Sequence, residues 1–101
     1  MNSVTFPILR RLSPDLLKDL EEFASLMFSL EEISLILETD LNDLRQAVHD
    51  PGSDAYKAFR KGRLQREAEV RNSIFTLARN GSSPAQLSAL KLIENAKMDD
   101  V

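Results

Sequence analysis

A chain of 101 residues, 43% hydrophobic and without cysteine, has the length of one domain or of a compact module with an extension. It has no disulfide framework, no thiolate metal site and no Cys nucleophile. Its net charge of −3 conceals a division: residues 1–54 carry four cations against eleven acids (net −7), residues 55–80 seven against two (net +5), and residues 81–101 two against three (net −1).

That asymmetry points to an anionic partner for the basic stretch, or to subunits pairing acidic face with basic face. The plainer alternative is a solvated helix whose charges balance in space. The longest apolar runs fall far short of a membrane span. Two arginines follow only a few apolar residues in "MNSVTFPILRRLSP", the wrong order for a secretory signal. The expectation is a soluble protein of the cytoplasm, where a chain without cysteine is at home.

Every periodic stretch reads helical, and none alternates as a strand does. Residues 1–12 read as an irregular N-terminal arm. Ser13-Pro14 is an N-cap and first-turn pair. It opens a helix over Pro14–Met27 with Leu16, Leu17, Leu20, Phe23, Ala24 and Met27 on its apolar side. Ser29 and Glu32 form a capping box, predicting a second helix to about Leu37 with Ile33, Ile36 and Leu37 on one face. Asp40 with Asp43 resembles the same device and opens a third helix that runs to about His49. Asp50-Pro51-Gly52 ends it.

Ser53 caps a fourth helix over about 54–79, the longest in the chain. Its interior Gly62 costs about 1 kcal/mol against alanine, and is read either as a close-packing site or as merely tolerated. Asn80-Gly81 is a C-terminal stop. Ser83-Pro84 then starts a fifth helix to about Lys97, with Leu87, Leu90, Ile93 and Ala96 as its apolar stripe, and residues 98–101 are expected to fray. The predicted fold is all-α: an irregular arm (1–12), a helix-turn-helix three-helix module (13–50), and a long helix with a C-terminal helix forming a helical hairpin (53–98).

No catalytic constellation emerges. His49 is the single histidine and stands beside Asp50 at a helix end, where the dipole favours it. Glu31-Glu32 are sequence neighbours, whose side chains diverge on a helix. "NGSSPA" lacks the lysine and spaced glycines of a phosphate loop. The expectation is a non-enzyme with no cofactor and no metal.

"SLEEISLILETDLNDLRQAV" has the outline of a helix-turn-helix, packed through Ile33, Leu37, Leu44 and Val48. A small residue, Ser34, stands where many such motifs need one. Glu38 stands where a glycine usually opens the turn, and Thr39 where the usual turn residue is aliphatic. A plain three-helix bundle remains the alternative for this segment. On the second helix of this motif, Asn42 and Gln46 suit adenine and Arg45 suits guanine. Asp40 and Asp43 oppose phosphate unless capping engages them. Basic Lys57, Arg60, Lys61, Arg63 and Arg66 are candidates to line a DNA path or to meet a neighbour's acidic half. The long helix has apolar ends, Tyr56 and Phe59 against Val70, Ile74 and Leu77, around a polar middle; those five are candidate oligomerisation residues.

The order of these elements, together with "DAYKAFRKGR" and the Leu77-Ala78…Gly81…Ala85 turn, resembles the small subunit of tailed-phage terminases over about residues 14–97. The resemblance implies a non-catalytic DNA-packaging factor. Such a factor recognises viral DNA, forms a ring-like homo-oligomer, and regulates a large terminase subunit that holds the ATPase and nuclease. It would make Asn42, Arg45 and Gln46 DNA-facing and the last two helices the oligomerisation region, and it would place the protein in a host cytoplasm. The acid-rich reading helix predicts weak DNA binding per subunit, to be raised by multivalency. Two other readings stay open: a protein-interaction adaptor on the same scaffold, and a dimeric transcriptional regulator.

Overall fold

The computed structural model describes residues 13–101; the predicted arm over residues 1–12 lies outside them. The protein is all-α, with five helices among the described residues. They are α1 (Pro14–Ser25), α2 (Leu30–Leu37), α3 (Leu41–Val48), α4 (Asp54–Arg79) and α5 (Ser83–Asp99). The chain forms two compact units, one ending at Arg66 and the other beginning at Glu67. The division falls inside α4 and not at the Pro51-Gly52 turn, because the first half of α4 packs on the helix-turn-helix core through Ala55, Ala58 and Phe59.

Helix starts follow local chemistry. Ser13 Oγ accepts the Leu16 N–H at 3.2 Å, and Ser29 and Glu32 form the complete reciprocal box at 3.1 and 2.9 Å. Asp40 Oδ1 accepts the Asp43 N–H at 3.0 Å. Ser53 does two jobs: its Oγ accepts the Tyr56 N–H at 3.0 Å and donates to the Ala47 carbonyl at 2.6 Å, joining the end of α3 to the start of α4. At α5 the cap is Ser82, one residue before the predicted Ser83, and its Oγ accepts the Ala85 N–H at 3.3 Å.

Three helices end on a left-handed residue, and only one of these is the glycine that the sequence marks. After α4, Gly81 has φ of 101° and the Ser82 N–H bonds back to the Leu77 carbonyl at 3.1 Å. After α1, Met27 takes φ of 68°, with Met27 N–H on Ala24 O and Phe28 N–H on Phe23 O at 3.0 and 3.2 Å. That is the Schellman pair of bonds, and the accompanying hydrophobic contact is Phe23 edge-on to Phe28 at 5.9 Å. So α1 ends at Ser25, short of the predicted Met27, and Met27 is 52% exposed instead of inward.

After α2, Glu38 has φ of 56° and ψ of 45°. It departs from the helix-turn-helix pattern in residue type but takes the left-handed backbone a glycine would supply. Glu38→Gly is therefore expected to stabilise the protein by about 0.5–1 kcal/mol, since a β-carbon is disfavoured at this φ. Chemical denaturation would show the gain as a higher midpoint at unchanged slope.

The first unit is built around Leu20, Ile33, Leu44, Ala47, Val48 and Ala55, with Leu16, Leu17, Phe23, Phe28, Leu30, Leu37, Ala58 and Phe59 packed against them. Each fully buried Leu or Ile contributes about 2–3 kcal/mol by leaving water. Ile36, expected on one face with Ile33 and Leu37, is 44% exposed, because those two already occupy the core side of this short helix. Gly62 settles as a packing site. An added Cβ would overlap the Glu21 carbonyl oxygen and meet Ala24 Cβ at 3.0 Å, so α4 lies backbone-close on α1.

In the second unit α5 does not bury the expected stripe. Ala85 and Ala89 are buried and Leu92 half-buried, whereas Leu87, Leu90 and Ile93 are exposed. Residues 85, 89 and 92 share one helical face, and alanine lets two helices approach closely. Gln86 Nε2 donates to the Ala78 carbonyl at 3.1 Å, fixing the hairpin turn. The helix reaches Asp99, so residues predicted to fray are partly helical.

Candidate nucleic-acid interface

On α3 the alternation of buried and exposed positions sorts the sequence by face. Asp43, Leu44, Ala47 and Val48 are buried, whereas Asn42, Arg45, Gln46 and His49 are exposed. Those four exposed side chains line one shallow depression. The three candidate base-contacting residues are thus brought together, with His49 as a fourth member that sequence reading treated only as a helix terminus. Its Nδ1 lies 2.7 Å from the Arg45 carbonyl, and since a carbonyl only accepts, Nδ1 is the donor.

Asp43 sits behind this face. Burial pushes its carboxyl above the ordinary 3.8, and the nearby Asp40 charge adds to the rise. A raised carboxyl favours the fold fully below the unfolded value, and that contribution is lost as the pH climbs through the folded one. Asp43→Asn is accordingly expected to raise the melting temperature at neutral pH, with the gain shrinking as the pH falls towards 3.8. Melting curves across pH check the sign.

At the turn, Thr39 Oγ1 is buried with no hydrogen-bond partner among the described residues. Here an aliphatic residue of equal shape does better: Thr39→Val is expected to add about 1 kcal/mol, the cost of an unsatisfied hydroxyl. A rise in the denaturation midpoint is the readout.

The basic stretch divides by role. Arg63 Nη2 donates to the Phe28 carbonyl at 2.8 Å and its guanidinium lies 4.6 Å from the Phe59 ring centre. Arg66 Nε donates to the Ser25 carbonyl at 2.7 Å. Both cations therefore satisfy carbonyls at the end of α1 and just beyond it, where the helix leaves acceptors unpaired and the dipole favours positive charge. They were expected to line a DNA path or to meet a neighbour's acidic half; each donates to a backbone carbonyl within the first unit. Lys61 reaches Glu21 at 4.0 Å, a long pair on an exposed lysine. Lys57 and Lys61 line a second depression in company with Asp15, Lys18, Glu21 and Asp54, so positive charge there is locally offset. Lys57 and Arg60 are exposed.

The candidate oligomerisation residues also separate. Phe59 packs on the core of the first unit and under Arg63, and Tyr56 is half-buried at the start of α4. In the second unit Ile74 is half-buried, while Val70 and Leu77 are each 53% exposed. Among the described residues no group of three or more His, Asp or Glu stands ready to hold a metal ion, and no helix is long and apolar enough to cross a membrane. Comparison with protein-family models, curated proteins and solved structures finds no match.

Proposed function

We propose that this chain is a non-catalytic, self-assembling DNA-binding protein of the terminase small-subunit kind. One observation carries the reading: Asn42, Arg45 and Gln46 share an exposed face of α3, whose opposite face is anchored by buried Leu44, Ala47 and Val48. A helix so placed offers base-edge partners in the major groove. Of the five basic candidates on α4, Lys57, Arg60 and Lys61 are exposed for phosphate, few enough that each subunit binds weakly.

Assembly is supported by the second unit. A two-helix hairpin that buries alanines while exposing Val70, Leu77, Leu87, Leu90, Ile93 and Met98 has unmet apolar surface. A second copy covering it would raise DNA affinity by linking weak sites. Recognition of viral DNA and regulation of a large terminase subunit belong to this proposal as the partners it implies.

Titration of duplex DNA at low salt tests the reading. Arg45→Ala with Gln46→Ala is expected to abolish binding while the helix content stays intact. Lys57→Glu with Arg60→Glu should weaken binding and flatten its dependence on salt. Equal affinity in wild type and the α3 variant would sink the role of α3. The inward Arg63 and Arg66 favour a second reading, a protein-interaction adaptor on the same scaffold; it predicts no DNA affinity even at low salt.

A further inference from the structure

The depression on α3 holds a fourth polar side chain whose proton position is set by its neighbour. His49 Nδ1 donates to the Arg45 carbonyl at 2.7 Å, so a neutral ring carries its hydrogen there and presents Nε2 as a bare acceptor. A phosphate oxygen accepts and does not donate. Neutral His49 has nothing to offer a phosphate, whereas the imidazolium offers Nε2–H and a charge. The depression contains one other charged side chain, Arg45. Asp50 follows in sequence, and its Oδ1 accepts the Gly52 N–H at 3.2 Å.

We propose that His49 is a fourth DNA-contacting residue of α3, and that its protonated ring adds a phosphate contact which the neutral ring does not make. The inference rests on the DNA-binding reading and deepens it: on a face with a single permanent cation, one added charge is a large fraction of the total. The Arg45 carbonyl holds the ring in place in both charge states, because Nδ1 carries a hydrogen in each. Binding through α3 therefore tightens on acidification without any change of fold.

The test measures affinity for one DNA duplex between about pH 8 and about pH 5.5, the range over which histidine changes charge. Wild type is compared with His49→Gln, neutral throughout, and His49→Arg, charged throughout. Asp43 is common to all three proteins, so the comparison removes its share. Acidification is expected to tighten wild type about tenfold more than His49→Gln, the worth of one hydrogen bond to a charged group. The salt slope should also steepen by about 0.9, one phosphate contact. His49→Arg should bind tightly at both ends of the range. An identical pH response in wild type and His49→Gln overturns the inference while leaving DNA binding intact. Wild type that binds no DNA at any pH overturns the inference and the functional reading together.

Discussion

Gly62→Ala is expected to lower the melting temperature by about 8–16 °C, corresponding to about 2 kcal/mol in a domain of this size. Helix propensity alone gives the opposite sign, since alanine in a helix interior is favoured over glycine by about 1 kcal/mol. The contact decides. The new Cβ would overlap the Glu21 carbonyl oxygen and press on Ala24 Cβ, both in α1, and neither is the far end of a flexible chain. Relief requires α4 to move off α1, which would loosen Ala55, Ala58 and Phe59 from the core and pull Arg63 and Arg66 from their carbonyls. Such overpacking costs about 1–3 kcal/mol beyond the propensity gain. Thermal unfolding followed by circular dichroism reads the result; a raised melting temperature would mean that the two helices do not approach through this glycine.

Leu44→Ala carries the second large effect. Leu44 is fully buried between the exposed positions of α3 and the rest of the first unit, so truncation loses burial and leaves a cavity, at about 3–4 kcal/mol. A small domain holds only about 5–10 kcal/mol in total, so the variant is expected to be largely unfolded at modest denaturant. Leu35→Ala is the matched control. Leu35 is 74% exposed on α2, and its loss should stay within about 0.5 kcal/mol. If both leucines cost the same, the face assignment of the helix-turn-helix is wrong. DNA binding should follow the same order, falling with Leu44 because the reading face is held from behind.

Helix starts were legible because they are written locally. Ser13, Ser29 with Glu32, Asp40 and Ser53 each accept a backbone N–H three residues on, within reach of any sequence window. Helix ends were legible at Gly81, near Leu37 and before Asp50-Pro51-Gly52, and missed after α1, which stops at Ser25. Met27 and Glu38 adopt left-handed backbone without glycine, and residue type alone does not mark them; at Met27 the Schellman contact of Phe23 with Phe28 accompanies it. On α5 two helical faces compete, one rich in leucine and one in alanine; close approach selected Ala85 and Ala89, which hydrophobicity alone ranks lower.

The candidate site shows the same limit. Asn42, Arg45 and Gln46 fell on one face because helical spacing dictates it. His49 shares that face by the same spacing, three residues after Gln46 and four after Arg45, but residue type at a helix end marked it only as a terminus. Arg63 and Arg66 counted as part of a basic stretch, yet their acceptors lie 35 and 41 residues earlier in the chain. Charge totals register a guanidinium's sign and not its destination. Phe59, read as an oligomerisation candidate, packs on the core of the first unit, a surface that becomes visible only when α4 is laid against α1.

The central claim is that weak DNA-binding subunits act together in an assembly. Light scattering of the purified chain across concentration and salt tests it most directly. The account predicts a stable oligomer well above a dimer, held through the apolar surface of the second unit and persisting at high salt. A monomer or dimer under every condition would contradict it.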